Sequence, residues 1–156
     1  MLREMVECAR PLSSKDIELL ESELGFRLPA EYRPFLFKYN GGRPLPNCFP
    51  IKGLEKNPFG ALHYFFGVED SSEAYNLTWN YDTFNGRMPS NLFPIASTGS
   101  DDVICLSLFG PDAGTVLFWD WYGQTGEPTY DNVYHIADSF SEFLDSLHEL
   151  PDQHEF

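Results

Sequence analysis

Basic residues are scarce in this 156-residue chain. Ten Lys and Arg stand against twenty-four Asp and Glu, for a formal net charge of −14. Nucleic-acid recognition needs a cationic footprint for phosphate, so direct binding of DNA or RNA is excluded. An anionic membrane surface is disfavoured for the same reason. Cysteine is sparse as well: Cys8, Cys48 and Cys105 stand far apart with no CxxC pair. That pattern suits a reducing compartment better than a disulfide framework. No apolar run approaches the roughly 18 residues that a bilayer span needs. The first residues, "MLREMVECARPL", carry Arg3, Glu4 and Glu7 where a signal peptide would be apolar. The expectation is a soluble cytoplasmic protein.

Chemical motifs are missing too. Gly41 and Gly42 follow an apolar helical pattern instead of preceding one, and no Lys-Ser or Lys-Thr comes after them. A phosphate cradle uses the N-terminal end of a helix, so these glycines read as punctuation. His63, His135, His148 and His154 lack zinc-ligand spacing, and no serine lies in a GxSxG elbow. Cys105 falls inside an apolar strand, which predicts burial and inertness. No local motif therefore supports a catalytic residue, a metal site or a cofactor, although a triad can assemble in space from distant residues.

What is abundant is apolar and aromatic surface. Hydrophobic residues make up 42% and aromatics 16% of the chain, enough for one domain with a continuous core. The spacing predicts a helix over "SSKDIELLESELG", with Ser13 and Asp16 as its capping box, Ile17, Leu20 and Leu24 on one face, and Gly25 at its end. A second helix carries Tyr32, Phe35, Leu36 and Tyr39, with Pro29 at its first position and Pro34 forcing a kink or a short first turn. "ALHYFFGV" reads as a buried strand. "SSEAYNLTWNYDTFNG" reads as one helix with Ala74, Leu77, Tyr81 and Phe84 on a shared face. "LFPIAS", "VICLSLFG", "TVLFWDW" and "NVYHIA" read as strands, the middle two joined through "GPDAG". A closing helix has Ser139 and Glu142 as its capping box, a stripe of Phe140, Phe143, Leu144 and Leu147, and Pro151 as its stop. The expected fold class is α+β: a single domain with a mainly antiparallel sheet covered by helices. Residues 1–12 read as an N-terminal extension, 13–150 as the domain and 151–156 as a C-terminal tail.

Carboxylates and aromatics converge near "FWDWYGQTGEPTYD". Strand alternation would put Trp119 and Trp121 on one side and Asp120 and Tyr122 on the other. Aromatics ringed by acids suit the anchoring of a basic protein partner. The candidate partner-binding residues are Asp101, Asp102, Asp120, Tyr122, Glu127 and Asp131. The same Trp and carboxylate cluster also fits a carbohydrate-binding or glycoside-acting protein, whose two acids would flank a sugar.

Taken together, "IELLESELGFRLPAEYRPFLFKYNGG", "LFPIASTGSDDVICLSL", "TVLFWDW" and "IADSFSEFLDSL" resemble, in order and spacing, the SMI1/KNR4 family of the SUKH superfamily. The resemblance spans roughly residues 13 to 148. Many relatives carry His where this chain has Trp121, and the family's Gly-x-Gly-Asp turn is here Gly99-Ser100-Asp101-Asp102. The resemblance implies a non-enzymatic role. Bacterial members are commonly immunity proteins that bind and block a toxin domain of polymorphic or contact-dependent systems. Others are scaffold or regulatory interaction proteins. For this acidic chain the implied partner is a cognate, basic toxin domain, for example a nuclease.

Overall fold

The computed structural model describes residues 1–54 and 59–150. Among them, a short strand β1 (Glu4–Val6) precedes helices α1 (Ser14–Leu24) and α2 (Tyr32–Lys38). Strands β2 (Arg43–Leu45), β3 (Cys48–Pro50) and β4 (Phe59–Phe65) follow, then helix α3 (Leu77–Phe84). The chain closes through β5 (Leu92–Thr98), β6 (Val103–Ser107), β7 (Val116–Trp119), β8 (Val133–Ala137) and helix α4 (Phe140–Ser146). Strands β3 to β8 form one antiparallel sheet in chain order, while β1 and β2 make a separate pair. The Lys52 amide donates to the His135 carbonyl at 3.1 Å, tying the β3 end to β8, so the sheet curls almost into a barrel. This is the α+β, mainly antiparallel architecture expected from the sequence.

The central strands are apolar on both faces because both are covered. Along β6, Ile104 and Leu106 enter one core cluster while Val103 and Cys105 enter another. Strand β7 splits the same way, with Val116 and Phe118 against Leu117 and Trp119. That is the two-residue period of a strand. The larger cluster takes Ile17 and Leu20 from α1, Tyr32, Phe35 and Leu36 from α2, and Phe140 and Phe143 from α4. Its rings meet edge to face: Phe35 lies 4.9 Å from Phe65 and 5.0 Å from Phe140 between centroids. Such pairs add about 0.5–1.5 kcal/mol each beyond area burial. Among the described residues, the smaller cluster is covered by Phe84 and Met88, with Trp121 and Val133 at its margins.

Helix α1 has the ends its sequence prescribes. Ser13 and Asp16 form a reciprocal capping box, and Gly25 closes the helix at φ 85°. Helix α2 begins later than the sequence suggests. Pro29 is not its first residue; its carbonyl accepts from the Tyr32 and Arg33 amides in the turn before the helix. Pro34 is then the third helical residue, where its missing N–H has no intrahelical acceptor to lose. The first turn shortens and the proline is tolerated.

The glycines after α2 are structural. Gly41 at φ 70° and Gly42 at φ 116° adopt backbone that other residues rarely reach. A Cβ on Gly41 would lie 2.9 Å from the Phe65 carbonyl, and one on Gly42 2.7 Å from that of Val6. Between helix and glycines, buried Asn40 donates from Nδ2 to the Arg10 and Val68 carbonyls at 2.9 Å each. Its Oδ1 accepts from the Val68 amide at 2.7 Å. The Asn-Gly-Gly run thus stitches three separate segments together.

The helix expected over 71–86 is broken. A 3₁₀ turn (Glu73–Tyr75) precedes α3, and Asn76 between them is extended. Asn76 Oδ1 accepts the Asp70 amide at 2.7 Å, so its side chain competes with helical continuation. Ala74 consequently faces solvent instead of sharing the apolar face. Helix α4 is capped by Ser139, but Glu142 reaches back to the Asp138 amide, not to Ser139. It ends at Ser146; Pro151 and the tail lie outside the described residues. The N-terminal residues are docked, since β1 pairs with β2 and the Leu2 amide donates to Leu144.

Candidate functional site

The thin covering of the second face leaves a cleft of about 460 Å³ between α3 and the β5–β6 turn. Its walls are aromatic, with Tyr75, Trp79, Phe84 and Trp121 among them. Asp101 and Arg87 line it as well. The Arg87 guanidinium stacks 4.7 Å from the Trp121 ring centroid and 5.1 Å from that of Phe84, and it donates to Gln124 Oε1 at 3.1 Å. Cation–π stacking holds this cation in place.

The residues singled out from sequence lie on the β5–β6 turn, where Asp101 lines the cleft, and on the loop that follows β7. Strand β7 stops at Trp119, and Trp121–Gly123 coil into a 3₁₀ turn capped by Asp120, whose Oδ1 accepts the Tyr122 amide at 3.2 Å. The alternation expected through Tyr122 therefore does not extend past Trp119. Trp119 and Trp121 still meet, edge to face at 6.2 Å, because the turn brings the second ring back over the first. Tyr122 is left 78% exposed, the most open large hydrophobic side chain of the described residues. Trp119 is fully buried, and its indole N–H finds no acceptor there.

Asp101 sits in the left-handed region at φ 70°, which an aspartate tolerates better than most residues. Beside it, Asp102 Oδ1 accepts the Trp121 amide at 3.0 Å and so fastens the β5–β6 turn to the 3₁₀ turn. Burial pushes the Asp102 carboxyl up to about 6, and the Asp120 and Asp101 charges add to the rise against the Trp121 hydrogen bond. Glu127 and Asp131 are exposed on the connection from 124 to 132. That connection is closed at its base, where Asp120 N donates to Asn132 O and Asn132 Nδ2 donates to Asp120 O, both at 2.9 Å. Asp120, Tyr122, Glu127 and Asp131 thus belong to one loop, and Asp101 and Asp102 to the turn fastened against it. None of the five carboxylates is ion-paired among the described residues.

Only Asp101 of these acids lines the cleft, so paired carboxylates do not face each other across it as glycoside hydrolysis needs. Among the described residues, no three His, Cys, Asp or Glu side chains form a metal-ligating group. No helix of those residues is long and apolar enough to cross a membrane. Sequence reasoning missed Trp79, Asn80 and Arg87 in the cleft wall. Trp79 had a legible signal, since it falls off the Leu77, Tyr81 and Phe84 stripe. Arg87 had none, as its stacking partners come from different elements.

Comparison with known proteins agrees with this fold. Residues 11–146 match the model of the SMI1 / KNR4 family (SUKH-1). The chain is 32% identical to the SPbeta prophage-derived uncharacterized protein YokK of Bacillus subtilis (strain 168), across 89% of this chain and 76% of that protein. With a family match over most of its length, laid on a curled antiparallel sheet with helices packed upon it, the chain belongs to the SMI1/KNR4 family.

Proposed function

We propose that the protein is an immunity protein, which neutralises a cognate basic toxin domain by stoichiometric binding and performs no catalysis of its own. The observation that carries this reading is the set of unpaired carboxylates on the turn and loop beside the aromatic cleft. Asp101 lines that cleft from the β5–β6 turn, and Asp120, Glu127 and Asp131 share the loop of exposed Tyr122, none with an ion pair among the described residues. A net charge of −14 speeds the approach of a cationic partner, and buried aromatics then slow its departure. A nuclease-type toxin presents such a cationic surface, because its own substrate is polyanionic. The prophage origin of a relative is compatible with a toxin and its antidote travelling together.

The test is affinity capture from the host, elution with rising salt, and growth rescue by co-expression. One stoichiometric basic partner whose toxicity the protein suppresses, and does not suppress when Asp101→Asn and Tyr122→Ala are combined, is the expected result. A captured partner that is not toxic would replace the immunity reading with a scaffold or regulatory one. Quenching of Trp fluorescence by sugars, with no protein partner, would replace both.

A further inference from the structure

A second groove lies on the far side of Trp79, between α1 and α3, with a volume of about 580 Å³. From α1 it takes Asp16, Leu19, Leu20 and Glu23, spaced i, i+3, i+4 and i+7 on one helical face. Leu19 is 58% exposed although it sits on an otherwise amphipathic helix. From the opposite wall come Glu73, Trp79 and Asp82, and Trp79 is 37% exposed. Val68 contributes further apolar surface. The groove therefore has an apolar strip between two rows of carboxylates.

Among the described residues, no Lys or Arg lines it. Arg10 closes on Asp16 at 3.0 Å and on Glu69 at 2.9 Å, and its guanidinium holds the Asp16 carboxyl below the usual carboxylate range. Glu23, Glu73 and Asp82 have no ion pair among the described residues. Two helices side by side present a trough into which a third helix packs by ridges and grooves.

We propose that the α1–α3 groove is a second docking surface, which seats the basic amphipathic helix of a protein partner. The apolar side chains of that helix lie on Leu19 and Trp79, and its Lys or Arg residues meet Glu23, Glu73 and Asp82. Charge complementarity selects this occupant over the alternatives. A second copy of the chain would bring −14 against −14. The chain's own last residues, "PDQHEF", hold two acids and no Lys or Arg, so they carry the wrong sign. The surface shares Trp79 with the Trp121 cleft but opens between α1 and α3 instead of toward the β5–β6 turn, and it stands whether or not the partner there is a toxin.

The probe is a synthetic amphipathic helix of Lys and Leu, titrated into the ¹⁵N-labelled full chain. A scrambled peptide of the same composition and a Glu/Leu counterpart serve as controls. Saturable shifts centred on Leu19, Glu23, Val68, Trp79 and Asp82 are expected. Affinity should fall about tenfold or more in a Leu19→Ser/Trp79→Ser variant, whose exposed positions leave the core intact. In a Glu23→Lys/Asp82→Lys variant the salt dependence should flatten. Shifts centred on Trp121, equal binding of the scrambled or acidic peptide, or an affinity indifferent to Leu19 and Trp79 would each overturn the proposal. So would sedimentation showing a dimer that Leu19→Ser dissolves, which would assign the groove to a second copy.

Discussion

The two faces of the sheet are made from the same strands and covered in opposite ways. On the first, α1, α2 and α4 bring whole helical stripes, and Phe49, Phe93 and Phe143 have no accessible surface. On the second, the end of α3 and the loop after β7 supply single side chains, and the cleft remains. The difference separates tasks. A face sealed by helices holds the fold together, while a face closed by loops can keep aromatic surface and unpaired charge available to a partner.

The largest expected effect lies on the sealed face. Phe143→Ala removes a ring enclosed by Phe49, Phe65 and Phe140, and the helices around it cannot collapse fully into the space. A loss of about 3–5 kcal/mol in chemical denaturation is expected. Phe84→Ala on the thin face should cost less, about 2 kcal/mol, because the residue borders the cleft and water can enter. Equal losses at the two positions would break the comparison.

Asn40→Ala comes next. It strands the Val68 amide and two carbonyls that this side chain satisfies in a buried place. About 2–3 kcal/mol is expected from the desolvated groups left behind. Asn40→Asp should be no rescue, since a carboxylate cannot donate to the Arg10 and Val68 carbonyls. A loss below about 1 kcal/mol would show that water replaces the network.

These positions also mark what a reader of the sequence could see. The ends of α1 and the apolar stripe of α4 were legible because caps and helical periodicity act within a few residues. The hairpin of β6 and β7 was legible because its turn residues are local. Asn40 was legible as helix punctuation but not as a hub, since its partners lie about thirty residues away in both directions. The break at Asn76 was hidden because a side-chain hydrogen bond to Asp70 outweighed a helical pattern. At the candidate site the acids were readable as types. Their assembly was not, because the tie from Asp102 to Trp121 joins two turns that only the sheet brings together. Leu19 and Trp79 were legible as apolar residues off their stripes, but the groove between them depends on how α1 meets α3.

Asp102 gives a smaller effect with a sign that depends on pH. Its folded carboxyl titrates at about 6, above the ordinary carboxylate value. The protonated form is therefore favoured by folding, and this contribution is complete below the unfolded value near 3.9 and lost as pH rises through 6. Asp102→Asn keeps an acceptor for the Trp121 amide and removes the charge. It should be stabilising by about 1 kcal/mol at pH 8, a figure already reduced for solvent screening at this half-exposed site, and close to neutral at pH 4. Thermal melts of both proteins from pH 4 to 8 should diverge across that window. Parallel curves would mean that the Trp121 amide, not burial, controls the carboxyl.

Smallest of all should be the stability change from Asp101→Asn, which keeps a residue suited to φ 70°, combined with Tyr122→Ala. Tyr122 is 78% exposed, and no side-chain hydrogen bond or ion pair of Asp101 exists among the described residues. Within about 0.5 kcal/mol of the unaltered protein is expected. A residue that costs the fold nothing to lose has no folding reason to be a large exposed aromatic ring beside acids. If the same double variant also loses a captured basic partner, the thin face is the working face. Should it melt several degrees early instead, Tyr122 would be covering Trp121 and the second core. The open face would then be an unfinished version of the sealed one, and the partner surface would have to be sought at the α1–α3 groove.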